Sequence, residues 1–303
     1  IKKYFDYSMC QELRLNSEED YINEFKKVFF EVIESQLRNP NGRITSALSG
    51  GLDSSSITRT ASELNKNNEL TSISVLFKGL KEEEFKKTDE LEFMIEAQDT
   101  KKFKNVFIDL ENTGPISNLS IFQKYHKGPV PAINGYIHVP MFKKAKELDS
   151  RVFLDGFDGD TVVSHGSEVL YEYAKKFRLF KLISEREKID KRYNFKTSYS
   201  WILKTYLLKP LLPKYIDFSY RYIFKRKDYP LNIFDILNKE IKKKMPKYKY
   251  IKSFFGFYPY AFLGSARKQH IGSLENPIWE FGVEMIENHA LKHGIEIRFP
   301  FFD

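Results

Sequence analysis

The chain has 303 residues, of which 42% are hydrophobic and 30% charged, so it can bury a sizeable core in one large domain or two and is not of disordered composition. No apolar run is long enough to span a bilayer, and the single cysteine, Cys10, excludes an internal disulfide framework and fits a reducing cytoplasm, the expected location. Lys plus Arg number 49 against 41 Asp plus Glu, a net charge of +8, which is a modest excess for a polyanionic partner and equally the mark of a lysine-rich chain.

In chain order, Ser17 with Asp20 predicts an acidic capping box opening a helix, and Tyr21, Phe25, Val28, Phe29, Val32 and Ile33 recur along it at helical spacing. Asn39-Pro40-Asn41-Gly42 stops that helix. Strand-like and helix-like segments then alternate: strand Arg43 to Leu48, helix Ser54 to Leu64, strand Leu70 to Phe77, helix Thr88 to Ala97, strand Asn105 to Leu110, helix Met141 to Leu148, strand Arg151 to Leu154. This alternation predicts an α/β fold, a parallel twisted sheet flanked by helices, with ligands at the carboxyl ends of its strands.

After about Ser167 strand signals fade. Leu170 to Ile189, Trp201 to Leu208, Ile233 to Lys244 and Trp279 to His293 look helical, and the aromatic run Phe254 to Phe262 is expected to be core. The expected organisation is a tether over residues 1–16, a nucleotide-binding α/β part over 17–166 and a C-terminal helical lobe over 167–303. The basic run Lys242 to Tyr250 interleaves lysine with tyrosine, and a solvated face is favoured there over RNA binding. A first residue other than Met and an abrupt end at Asp303 suggest a fragment of a longer protein, truncated at its C-terminus.

Two strand-end loops carry the chemistry. Ser49-Gly50-Gly51-Leu52-Asp53-Ser54-Ser55 follows the first strand and precedes a helix. Its glycines let backbone approach a ligand, the helix N-terminus favours negative charge, and the serines add hydroxyl donors. Asp53 would repel a bare phosphate, so a divalent cation is expected between them. No Lys follows the glycines, so this is not a Walker loop.

The second loop, Asp155-Gly156-Phe157-Asp158-Gly159-Asp160, follows the fourth strand. Its three carboxylates repel one another unless a cation lies among them, and Mg²⁺ on ATP phosphates, shared by Asp53 and Asp160, would supply it. His165, in the extension Thr161 to Gly166, is a candidate acid–base group, although a histidine so placed is more often a loop residue bonded to backbone. His289 and His293 lie four apart, but position 290 is Ala, so the zinc motif H-E-x-x-H is absent.

The first loop resembles the S-G-G-x-D-S turn of the ATP pyrophosphatases. With the second loop and the closing run Gly294-Ile295-Glu296-Ile297-Arg298-Phe299-Pro300-Phe301-Phe302-Asp303, the chain resembles, from about Ser17 to Asp303, the synthetase domain of the asparagine synthetase family, which includes β-lactam synthetases and lasso-peptide cyclases. The resemblance implies an adenine nucleotide alpha-hydrolase-like fold. Ser49, Gly50, Gly51, Asp53, Ser54 and Ser55 match its pyrophosphate loop; Asp53 and Asp160 match its magnesium ligands. Ala47, Leu48 and Val75 match positions lining the adenine, Asp155 and Gly156 match a Ser-Gly pair whose backbone contacts the nucleotide, and Glu296 and Arg298 match the closing motif, whose part is catalytic or only to brace the site.

Four positions depart from the family pattern. Phe157 stands where the family has a catalytic Glu, with Asp158 one residue later as a substitute carboxylate; Asp155 replaces Ser, Thr161 replaces Glu, and Asn288 stands where a basic residue is usual. The resemblance implies a carbon–nitrogen ligase that uses ATP and Mg²⁺: a carboxylate is adenylated and then attacked by ammonia or an amine. In glutamine-using members, a separate N-terminal glutaminase domain supplies the ammonia. The alternatives left open are an amide ligase of a biosynthetic cluster with a bulkier acid, an RNA-modifying ATP pyrophosphatase, and a nucleotide-binding homologue that has lost catalysis. Nucleic acid is the less favoured partner, and no membrane association is expected.

Overall fold

The structure is a computed structural model; it describes residues 6–38, 43–65, 70–77, 90–98, 103–110, 114, 135–164, 166, 169–208 and 265–303. His165, Ile233 to Lys244, Lys242 to Tyr250 and Phe254 to Phe262 lie outside the described residues. The chain divides into two compact units, Ile1–Met9 with Ser164–Asn276, and Cys10–Val163 with Pro277–Asp303.

The second of these units holds the sheet. Helix α1 spans Glu18–Gln36, and the capping box forms: Asp20 N–H donates to Ser17 Oγ at 3.2 Å and Ser17 N–H to Asp20 Oδ2 at 3.1 Å. Such a cap is worth about 1 kcal/mol. There follow β1 Arg43–Ala47, α2 Leu52–Leu64, β2 Thr71–Leu76, α3 Leu91–Gln98, β3 Lys104–Asp109, α4 Gly135–Glu147, β4 Ser150–Leu154 and the short α5 Gly159–Val163. The chain re-enters the unit with α10 Pro277–Lys292, β5 Glu296–Arg298 and a 3₁₀ turn Pro300–Phe302. Every strand pair is parallel, in the order β3-β2-β1-β4-β5.

Three features differ from the sequence reading. Helix α4 starts at Gly135 rather than Met141 and carries Pro140 inside it, a residue that sequence rules treat as a helix stop. The segment Leu170 to Ile189 breaks into two helices around Phe177, which takes a left-handed φ of 53°. Residues 277–303, read in the sequence as part of a helical lobe, group with the sheet and supply its edge strand β5, whose three residues are too short for a strand signal.

Alternation along the strands sorts the core into two layers. Ile44, Leu48, Val152 and Leu154 pack with Ile33 of α1 and Ile57 and Ala61 of α2. Ile73, Phe153 and Ile297 pack on the other face with Met141, Phe142 and Ala145 of α4 and Met285, Ile286 and Ala290 of α10. Phe142 meets Phe153 edge-on with centroids 5.3 Å apart. Loss of such a ring costs about 3–5 kcal/mol.

The inner strands also bury hydroxyls, and these position the first loop. Thr58 Oγ1 donates to Ala47 O at 3.1 Å and Ser74 Oγ to Leu48 O at 2.6 Å, so the two carbonyls just before Ser49 are held from both flanking elements.

The other unit is helical among its described residues: α6 Val169–Lys175, α7 Leu179–Tyr193, α8 Tyr199–Leu203 running into a π turn Lys204–Leu208, and α9 Ala266–Leu274. Leu170, Ala174, Leu182, Ile202 and Tyr206 form its core. Arg186 pairs with Asp190 at 2.8 Å and lies 5.5 Å from the centre of the Trp201 ring.

Candidate nucleotide site

Strand order alone selects the place. From β1 the chain adds β2 and β3 on one side, then β4 on the other, so the order reverses between β1 and β4. A crevice opens at such a switch point, outside the carboxyl ends of the strands. The two glycine-rich loops of the sequence leave β1 and β4 at that edge.

In the first loop, Ser54 Oγ reaches back from α2, accepts from Ser49 N–H at 3.0 Å and donates to Gly51 O at 3.3 Å. Ser49 and Ser54 share a hydroxyl–hydroxyl bond of 2.9 Å, and Gly51 N–H donates to Ser49 Oγ at 3.2 Å. Gly50 sits at φ +89°, and a Cβ there would meet Glu90 O at 2.8 Å, so both its conformation and its neighbour require glycine. Gly51 caps α2 with no side-chain hydrogen bond. The amides of that first turn are therefore not engaged by a capping side chain, the arrangement that receives phosphate oxygens. Ser55 Oγ is buried and has no hydrogen-bond partner among the described residues.

The second loop closes onto the first. Asp155 N–H donates to Arg298 O at 3.0 Å, which fixes where β4 ends. Gly156 lies against the first turn of α2: a Cβ on it would come 2.7 Å from Ser54 N. Asp160 N–H, at the start of α5, donates to Asp53 Oδ2 at 3.1 Å. Gly159 is wedged between Asp53 Cγ and the Phe301 ring, at 2.7 and 2.6 Å from an added Cβ.

Asp158 adopts a left-handed φ of 55°. Its Oδ1 accepts from Thr161 Oγ1 at 2.9 Å, while Oδ2 is buried with no hydrogen-bond partner among the described residues. Burial, reinforced by the Asp160 and Asp53 carboxylates against the Thr161 bond, pushes the Asp158 carboxyl up to about 6. An all-oxygen, charge-crowded donor set of this kind suits a hard cation. Among the described residues no group of three or more His, Cys, Asp or Glu forms a metal-holding cluster. A magnesium ion here would take Asp53 and Asp160 and complete its shell with phosphate oxygens and water, as Mg²⁺ commonly does.

The other expected residues fall in three places. Ala47 and Val75 lie on the α4 side of the sheet, whereas Leu48 is buried on the α1/α2 side, its N–H bonded to Ile73 O and its carbonyl to Ser74 Oγ. Phe157 turns into an aromatic cluster, 6.3 Å from Trp279, 5.9 Å from Phe299 and stacked at 6.1 Å on Phe302. Arg298 pairs with Glu296 Oε1 through Nε and Nη2 and donates from Nη1 to the carbonyls of Gln36 and Arg38, at the C-terminal end of α1. Asp303 Oδ2 accepts from Gln36 Nε2 at 2.7 Å. The closing run thus ties α1 to the sheet.

Sequence reasoning missed His138. It sits in the first turn of α4, with Nε2 3.6 Å from Asp155 Oδ2 and Nδ1 buried. Nothing local in the sequence links it to Asp155; only the placement of α4 after β3 and before β4 does.

A family model described as asparagine synthase matches residues 24–270. This chain belongs to the asparagine synthase family. Membership supports an ATP-using, ligase-type synthetase. No curated protein matches the sequence. Solved structures similar to it include NMN synthetase from Francisella tularensis, at 14% identity and TM-score 0.33 over 46% of this chain and 55% of that one. They also include an NH3-dependent NAD synthetase from Campylobacter jejuni subsp. jejuni, at 12% identity and TM-score 0.33 over 74% of this chain and 96% of that one. A U34-tRNA thiolase from Methanococcus maripaludis matches at 12% identity and TM-score 0.36 over 91% of this chain and 79% of that one. The chain thus spans about half the length of the NMN synthetase. No helix among the described residues is long and apolar enough to cross a membrane.

Proposed function

We propose that this chain is an AMP-forming amide ligase of the asparagine synthetase type, acting on a carboxylate acid and on ammonia or an amine. The single observation that supports it most is the hydrogen bond from Asp160 N–H to Asp53 Oδ2, which brings the backbone of the second loop onto the carboxylate of the first at the switch point. A substrate carboxylate attacks the α-phosphorus of ATP, the bond to the β-phosphate oxygen breaks, and pyrophosphate leaves into the Ser49–Ser55 turn. Ammonia or an amine then attacks the acyl carbon and AMP departs.

Asp53 and Asp160 would hold Mg²⁺, which when bound offsets charge on the departing pyrophosphate. The α2 amides and the hydroxyls of Ser49, Ser54 and Ser55 orient the same group. Phe157, packed with Trp279, Phe299 and Phe302, favours an acid bulkier than aspartate, as in the β-lactam synthetase and lasso-cyclase branches. A glutaminase domain is a proposed source of ammonia.

The same Phe157 motivates the second reading, a nucleotide-binding homologue without catalysis. One experiment separates the two: exchange of labelled pyrophosphate into ATP, with Mg²⁺, across a panel of aspartate, amino-acid, sugar and peptide carboxylates. Exchange with at least one acid supports the ligase. Exchange with none, alongside saturable ATP binding, supports the homologue.

A further inference from the structure

Amide formation needs a group to take a proton from the attacking amine, and Asp158, whose Oδ2 has no hydrogen-bond partner among the described residues, is one candidate. Asp158 shares its surroundings with Asp53 and Asp160, and its Oδ1 already accepts from Thr161. A different titratable group stands at the same sheet edge. Helix α4 connects β3 to β4, both parallel strands, so its first turn lies where β3 and β4 have their carboxyl ends. His138 is in that turn.

Its geometry is that of an oriented base. Nε2 faces Asp155 Oδ2 at 3.6 Å, within ion-pair range and slightly longer than a hydrogen bond. The ring lies on Phe142, with centroids 6.0 Å apart and planes 27° from parallel, which limits its rotation. Asp155 is itself held by its backbone bond to Arg298 O, and is 8% exposed. Nδ1 is buried with no hydrogen-bond partner among the described residues. A buried imidazole nitrogen left unpaired is costly, and such a group calls for an explanation. At 3.6 Å the Asp155 carboxylate orients the ring without a hydrogen bond that would fix its tautomer.

The geometry points to His138, oriented by Asp155, as the acid–base residue of the amide-forming step. This inference rests on the ligase reading above. As the amine nitrogen bonds to the acyl carbon, the bond from that carbon to the AMP oxygen breaks. AMP leaves with the electron pair, and the nitrogen's proton passes to the His138 imidazole and from there to water. His138 has no part in the earlier adenylation.

The test compares the two half-reactions in the full chain, using the acid that gives the strongest pyrophosphate exchange and ammonium chloride as the amine source. His138→Ala and His138→Gln are expected to exchange pyrophosphate within about twofold of wild type, which also shows that they fold. Their amide formation is expected to fall about 100-fold or more, the usual worth of a positioned base. Added imidazole should restore part of that loss in His138→Ala, which a purely structural role would not allow. Amide formation undiminished in both variants overturns the inference and leaves the ligase reading standing, as does equal loss of both half-reactions without imidazole rescue. Absence of exchange in wild type with every acid refutes the ligase reading, and this inference with it.

Discussion

The Asp160 amide donates to the Asp53 carboxylate across 3.1 Å, so residues more than a hundred positions apart in sequence face each other at one corner of the sheet. If they share one cation on a triphosphate, Asp53→Asn and Asp160→Asn should each lower Mg²⁺-dependent pyrophosphate exchange by about 100-fold, and the double variant by little more than either single change. Exchange rates over a magnesium titration give the measurement. Fully additive losses would count against a shared ion.

Gly156 is the point at which the second loop presses on the first, 2.7 Å from Ser54 N to where a Cβ would stand. Backbone on both sides leaves nothing to rotate aside. Gly156→Ala is expected to destabilise the fold by about 1–3 kcal/mol and to weaken ATP binding by separating the loops. Thermal melting with and without ATP reads both effects.

The Asp158 carboxyl, pushed up to about 6 from 3.8 first by burial, gives a pH signature. The folded state holds its proton more tightly than the unfolded chain does, so Asp158 favours folding while protonated. That advantage is lost as pH rises from about 4 through about 6. Above that window, without Mg²⁺, Asp158→Asn should be more stable than wild type by about 1 kcal/mol, after discounting for partial solvent screening. Below pH 4 the difference should vanish. Melting temperatures of the pair between pH 4 and 8 test the sign.

Arg298 tests whether the closing run is brace or reagent. Its donors are taken up by Glu296 and by the Gln36 and Arg38 carbonyls at the end of α1. Arg298→Met should cost about 1–3 kcal/mol, the worth of a hydrogen bond to a charged group. Its loss of exchange should follow the loss of folded protein. A stable variant with no exchange would show instead that the guanidinium meets the substrate.

Much of this arrangement is legible in the sequence because it is local. The capping box at Ser17, the strand before Ser49 and the Gly50-Gly51 turn are each written within a few residues, and the periodicity of β1 to β4 with their helices gives the parallel sheet. What escapes is set by neighbours distant in the chain. Strand β5 is extended because β4 offers it a free edge, not because Glu296 to Arg298 favour a strand. Pro140 is tolerated near the start of α4, where the helix has few carbonyls behind it to lose. His138 meets Asp155 only through the path of a crossover. Phe157 looks like a lost carboxylate in the alignment of motifs, but in the fold it fills a nest of rings whose members come from α10 and the closing run.

The placement of β5 also bears on how the chain acquires its shape. Strand β4 receives its second neighbour only after residues 164–276 have been made, since Glu296–Arg298 follow that whole excursion. Asp155, anchored through Arg298, therefore lacks its anchor while the nascent chain is still incomplete. Such distant pairing slows folding. Until it forms, an early, partly assembled sheet would carry an exposed strand edge and an unset second loop, so nucleotide affinity should emerge late in folding, together with the last strand.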